Sequence, residues 1–167
     1  INTDLIAGLP TDTTESFKNS LDSIVRLNAE CITVHTLCMK RASRLTTEGV
    51  TLDLQQARDA REMLAYTQNV LGQNEYIPYY MYRQSRMVGN LENVGWSKRG
   101  FESLYNVYVM DETHTILACG SGGVTKLKRN NPDYLERIFN FKYPYEYIDR
   151  FDELIQRKSG IMQFYGQ

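Results

Sequence analysis

Asp4 lies inside the apolar run Ile1-Asn2-Thr3-Asp4-Leu5-Ile6, just ahead of Gly8-Leu9-Pro10. A carboxylate placed there must meet a cation, hydroxyls or backbone N–H groups, because unpaired burial is costly. Contact with a ligand and the capping of a neighbouring turn are both open to it. A second stretch, Tyr79-Tyr80-Met81-Tyr82-Arg83-Gln84-Ser85-Arg86, interleaves rings with cations, and Asn90, Glu92, Asn93, Trp96, Lys98 and Arg99 follow. Rings beside arginines suit single-stranded nucleic acid, by stacking and phosphate pairing. They also suit a flat polyanionic small molecule whose carboxylates pair with guanidinium groups. A solvated loop over a strand is the plain alternative. The third stretch, Gly120-Ser121-Gly122-Gly123, permits close backbone approach to a ligand. It is neither G-x-G-x-x-G nor a P-loop, so by itself it reads as a tight strand exit.

His35 and His114 are the two histidines. No second histidine or carboxylate stands at metal spacing from His35, which therefore reads as a satisfied structural residue. His114 falls in an expected turn and reads as solvated. Cysteines occur at 31, 38 and 119. An odd count argues against a disulfide framework, and a reducing cytoplasm is the natural setting. The spacing of Cys31 and Cys38 matches no common zinc or iron–sulfur run, so all three read as buried or half-buried thiols. The basic run Lys126, Lys128, Arg129 reads as a solvated strand edge.

The chain of 167 residues carries 19 Lys and Arg against 20 Asp and Glu, a net charge of -1. That balance points away from a non-specific nucleic-acid binder. Hydrophobic residues at 42% and charged residues at 23% describe a globular composition with a core to bury. No apolar run is long enough to span a bilayer as a helix.

The elements that must position these residues follow from periodicity. Residues 1–6 read as a strand. Asp12, with Glu15 three residues on, reads as the capping box of a helix over 13–27, its buried stripe being Phe17, Leu21, Ile24 and Val25. Residues 31–35 form the next strand. Strand, helix, strand implies a parallel pair with a right-handed crossover. A helix is expected over 54–71, ended by Gly72, then a strand over 76–82 weakened by Pro78. Residues 87–100 read as a long loop, 104–110 as a strand, 111–114 as a turn and 115–119 as the return strand. Asn131-Pro132 reads as the cap of a helix through Phe139, and a last helix is expected over 149–158, ended by Gly160. The fold class is α/β, divided into residues 1–75 and 76–167. Two or three parallel strands make an incomplete α/β layer, and a closed barrel takes about 250 residues. The expectation is a C-terminal piece of a longer barrel protein with an uncovered sheet edge, through which a homodimer could form.

Asp4-Leu5-Ile6-Ala7-Gly8-Leu9-Pro10, followed by Thr13-Thr14-Glu15-Ser16-Phe17, resembles the D-L-I-x-G-L-P…T-x-E-S-F signature of radical SAM enzymes. The specific resemblance is to the oxygen-independent coproporphyrinogen-III oxidases. Tyr79 to Gln84, Gly89 to Gly95 and Gly120 to Gly123 are similar to its HemZ-like subgroup, so nearly the whole chain is covered. The resemblance implies the late strands of a partial (β/α) barrel followed by a C-terminal α+β extension.

It also implies a cofactor site. Asp4, Cys38, Gly120, Gly122 and Val124 would belong to a pocket for S-adenosyl-L-methionine (SAM), with Gly122 where no side chain fits. Arg83, Arg86, Asn90 and Asn93 would face a porphyrinogen substrate. The implied reaction is reductive cleavage of SAM, hydrogen abstraction from a propionate and loss of CO₂ to leave a vinyl group. A reductant would supply the electron, and neither nucleic acid nor membrane is an expected partner. The [4Fe–4S] cluster motif C-x-x-x-C-x-x-C is not in this sequence. It is expected before Ile1, which would leave the chain inactive on its own. Two alternatives stand beside this reading: a haem-transfer protein of the same superfamily, and a small module that binds single-stranded RNA.

Overall fold

The structure is a computed structural model that describes residues 1–39, 54–84, 87–130 and 133–166. It divides into two compact units, Ile1–Leu104 and Tyr105–Gln167.

The first unit is a four-stranded mixed sheet with helices on one face. Strands β1 (Asn2–Ala7) and β2 (Cys31–Thr36) are joined by helix α1 (Thr14–Arg26) and run parallel. Helix α2 (Leu54–Gln73), strand β3 (Tyr76–Tyr82) and strand β4 (Asn93–Lys98) follow, and the sheet order is β1-β2-β4-β3. Both pairings of β4 are antiparallel. Strands β3 and β4, beyond residue 75, thus hydrogen-bond into the same sheet as β1 and β2. Within the described residues β1 is an edge strand, paired on one side only.

Helix α1 begins one residue later than the spacing of Asp12 and Glu15 predicts. Thr13 is the N-cap, its hydroxyl accepting from the Ser16 amide at 3.1 Å while the Ser16 hydroxyl accepts from the Thr13 amide at 3.0 Å. Asp12 supports this cap by accepting from the Thr13 amide and the Ser16 hydroxyl. The expected stripe is right: Phe17 and Leu21 are buried, with Ile24 and Val25 packed at the margin of a core that includes Ile32, Val34, Met63, Leu71 and Trp96. Gly72 does not end α2. The helix runs on to Gln73, and the left-handed residue is Glu75, at φ 64°.

The largest correction in this unit is β4. Residues 87–100, expected as a loop, hold the strand between β2 and β3. Its polar composition hid it. Asn93 and Ser97 are buried and hydrogen-bonded, and Gly95 gives its space to a neighbouring ring. Pro78 is tolerated because β3 is an edge strand, with a register shift between Pro78 and Tyr80. That irregularity inverts the side-chain phase. Tyr76 joins the core under the helices, while Tyr80 and Tyr82 point to the opposite face.

The second unit is built on a hairpin of β5 (Val124–Asn130) and β6 (Asp133–Phe139). Helix α3 (Leu104–Asp111) precedes it, and α4 (Pro144–Asp149), α5 (Phe151–Lys158) and α6 (Gly160–Tyr165) follow. Here the sequence expectation is largely overturned. Residues 104–110 are helix, not strand, and none of α3 is buried. The expected return strand at 115–119 makes only an isolated bridge, Ile116 to Lys126. Residues 133–139 are strand, not helix. The proposed cap Asn131-Pro132 lies outside the described residues. Gly160 opens α6 rather than closing a helix. The basic run is not a plain solvated edge. Lys126 pairs with Glu112 at 2.7 Å, Lys128 pairs with Asp133, and Arg129 lies 4.7 Å from the Phe164 ring centroid.

Candidate functional site

The two faces of the four-stranded sheet differ in chemistry. One carries Val34, Val94 and Trp96 toward the helices. On the other, the register sets Asp4 beside Thr33, Thr33 beside Gly95, and Gly95 beside Tyr80. One step along the strands, Ile6 lies beside His35 and Asn93 beside Tyr82. Alternation along β1, β2 and β4 therefore delivers Asp4, His35 and Asn93 to a single surface.

The geometry of that surface is ordered. The Tyr80 hydroxyl lies 3.0 Å from the Thr33 hydroxyl, and the Tyr80 and Tyr82 rings stack with centroids 6.3 Å apart. The Tyr80 ring lies over Gly95, where a Cβ would come within 1.8 Å of Cε1. The Tyr82 hydroxyl lies 3.3 Å from His35 Nδ1, and His35 Nε2 lies 3.5 Å from an oxygen of Asp4. Asn93 is buried and accepts the Thr36 amide at 2.7 Å. Burial pushes both phenols above their ordinary value of 10.0, against the pull of Thr33 on Tyr80 and of Asn93 on Tyr82. Both therefore stay protonated at neutral pH. The Asp4 side chain is 56% exposed and the His35 side chain 32%. A carboxylate held this way can accept from hydroxyls or pair with a cation.

The residues expected at a site divide as follows. Asp4 stands on the polar face, within reach of His35, with its carboxylate half-exposed. Cys38 follows β2, partly exposed, and its backbone bridges Met87. Arg83 and Asn90 line a cleft of about 600 Å³ beside α2, with Leu64, Val94 and Trp96. Arg83 is already paired there, with Glu92 at 2.7 Å. Asn93 belongs instead to the opposite, polar face of the sheet, so these three do not form one group. Arg86 lies outside the described residues.

Gly120, Gly122 and Val124 belong to the second unit. Their turn leads into β5 rather than out of a strand. The Gly120 amide donates to the Tyr147 hydroxyl, Gly122 to the Phe141 carbonyl at 2.7 Å, and Gly123 to the Gly120 carbonyl. Among the described residues of this chain, a Cβ at Gly122 would meet only the Lys142 carbonyl, at 3.8 Å. Glycine is needed at this position for its φ of 71°. The most crowded glycine among the described residues is Gly95. Sequence reasoning missed Tyr80, Tyr82 and Gly95 as parts of one surface. The signal lay in the alternation of β3 after Pro78, which could be used only once β4 was known to be a strand.

No family model matches the chain. Among curated proteins it is similar to the oxygen-independent coproporphyrinogen-III oxidase-like protein HemZ of Bacillus subtilis (strain 168), 37% identical over 163 residues. That match takes in 98% of this chain and 32% of the relative. The similarity is thus to part of an oxygen-independent coproporphyrinogen-III oxidase-like protein. The chain spans about a third of the length of that relative. A solved structure of coproporphyrinogen III oxidase (HemN) from Escherichia coli, described as a radical SAM enzyme, matches with a TM-score of 0.56 and 17% identity. That likeness covers 91% of this chain and 34% of the other, and it supports a shared mixed α/β fold. The similarity to HemZ agrees with the resemblance of the motif on β1 and α1. Among the described residues, no helix is long and apolar enough to cross a membrane.

Proposed function

We propose that the chain is part of a radical SAM oxidoreductase that acts on coproporphyrinogen, and that Asp4 is one of its SAM contacts. The observation that carries this is the placement of the D-L-I-x-G-L-P aspartate. Its carboxylate stands half-exposed on the polar sheet face, in a chain 37% identical to the HemZ-like protein. SAM and a [4Fe–4S] cluster, when bound, supply the radical chemistry by which such an enzyme decarboxylates propionates.

The residues present fit a share of the SAM contacts. Asp4 can accept from ribose hydroxyls or meet the ammonium group, and Cys38, just past β2, offers a partly exposed neighbour on the same strand pair. The amides of Gly120, Gly122 and Gly123 are engaged within their own unit, so they are not free to donate to a ligand. On the substrate side, Arg83 would reach a propionate only by releasing Glu92.

The test is SAM binding by the full-length protein that carries this chain. A charge-assisted hydrogen bond is worth roughly 1.5–3 kcal/mol. Asp4→Ala should therefore weaken SAM binding by about tenfold or more, with the fold intact by circular dichroism. Unchanged affinity would remove Asp4 from the cofactor site.

A further inference from the structure

The polar residues of the sheet face form one directed chain, with a member from each strand. On β4, Asn93 spends its carbonyl oxygen on the Thr36 amide, at 2.7 Å. Its amino group is then the part left to face Tyr82, its register neighbour on β3, as a donor to the phenol. A phenol that accepts there turns its own proton away, and His35 Nδ1 on β2 lies 3.3 Å off. An imidazole that accepts at Nδ1 carries its proton on Nε2. That nitrogen lies 3.5 Å from Asp4 on β1, the long end of hydrogen-bond range. Contacts of this kind shorten when a ligand closes a site.

We propose that His35 is a positioning residue, locked in its Nε2–H tautomer by Tyr82 and Asn93, and that it aims the Asp4 carboxylate at the ligand. This deepens the SAM reading and rests on it for the identity of the ligand only. Among the described residues, the ionisable groups in contact with His35 are Asp4 on β1 and Tyr82 on β3, with Tyr80 and Cys38 as neighbours of Tyr82. Strand β4 presents Asn93 and Gly95 to this face. A carboxylate on the Nε2 side and a neutral donor on the Nδ1 side both favour the same tautomer. The chain of bonds also explains why a buried Asn is useful in β4. A carboxylate at position 93 would accept from the Thr36 amide equally well but could not donate to the phenol.

With two histidines in the chain, long-range ¹H–¹⁵N spectra of its imidazoles are readily assigned, His35→Gln deleting one set. At neutral pH, His35 should show a protonated Nε2 and a bare Nδ1, and Tyr82→Phe should drive it to a mixture of tautomers. In the full-length protein, Tyr82→Phe should weaken SAM binding about three- to tenfold, the worth of one neutral hydrogen bond. His35→Gln, whose amide N–H can replace Nε2–H, should retain affinity that His35→Leu loses. A protonated Nδ1 in the wild type, or a tautomer indifferent to Tyr82→Phe, overturns the relay. If Asp4→Ala lowers SAM affinity while Tyr82→Phe and His35→Leu do not, the SAM reading stands and the positioning role fails. If the tautomer responds as expected while Asp4→Ala leaves SAM affinity unchanged, the relay stands and the SAM reading fails.

Discussion

The first unit covers one face of a sheet with α1 and α2 and leaves the other face polar. The second is a single hairpin attended by short helices. The first buries a continuous set of large side chains, Phe17, Leu21, Ile32, Val34, Met63, Leu71 and Trp96 among them. The second buries fewer, chiefly Leu127, Phe141, Leu154 and Phe164, and surrounds them with cations. Arg150 and Arg157 each lie about 4 Å from the Phe141 ring centroid, and Glu153 holds both guanidinium groups. Two ways of holding a fold are therefore present in one chain. Apolar burial dominates the first, and ion pairs and cation–π contacts do much of the work in the second. Burial is the stronger term per residue, and exposed pairs contribute little.

The sharpest way to expose that contrast is to remove a core ring. Phe17 is 1% exposed on α1, and Phe17→Ala leaves a cavity that the sheet below cannot fill. A loss of about 3–5 kcal/mol is expected. Trp96, the one tryptophan, sits in the first unit and is a natural probe of it. In urea, its fluorescence transition should shift markedly. A loss below about 1 kcal/mol, far under the usual cost of such a truncation, would deny the first unit its apolar dominance.

A smaller effect is expected on the polar face. Tyr80 can lie across β4 only because Gly95 has no side chain, and an added Cβ would fall 1.8 Å from the ring. Gly95→Ala should cost about 1–3 kcal/mol, the usual range for overpacking. Tyr80→Ala in the same chain removes the obstacle, so the double variant should lose less than the sum of the singles. Strict additivity would mean that the ring does not depend on Gly95, and the ordered surface around Asp4 would lose its support.

The same contrast decided what could be read from sequence. In the first unit, α1 and β2 were legible because their large apolar residues recur at the period of the element. The parallel β1–β2 pair and the face of α1 came out right for that reason. Strand β4 was illegible although it is central. Apart from Trp96, what it buries is Asn93, Gly95 and Ser97, residues that usually mark loops. In the second unit, α3 buries nothing, so no stripe existed to be found. Residues 133–139 mislead because Asn-Pro before a charged segment imitates a helix start. The candidate site was half legible. Asp4 was identifiable by its motif, but its link to His35 and Tyr82 depends on a register set by β4 and by the irregularity at Pro78.

The weakest expected effect tests the charged side of the comparison. Glu112 accepts from Lys126 at 2.7 Å and from Arg137 at 2.9 Å, tying the C-terminal end of α3 to both strands of the hairpin. The hydrogen bond from Lys126, reinforced by the nearby positive charges, holds the Glu112 carboxyl below its ordinary value of 4.5. A carboxylate lowered in the folded state stabilises the fold above the unfolded value. That contribution is lost as pH falls through the folded value, so the affected window opens at about 4.5 and extends downward. The side chain is 39% exposed, and solvent screening limits the pair to about 0.5 kcal/mol. Glu112→Gln should therefore cost about that much at neutral pH and flatten the decline in stability below pH 4.5. Because the change lies in the second unit, it should move the far-UV circular dichroism transition more than the Trp96 fluorescence transition. Equal shifts in both signals would mean that the two units unfold together, and the division of labour between burial and charge would then belong to one cooperative fold.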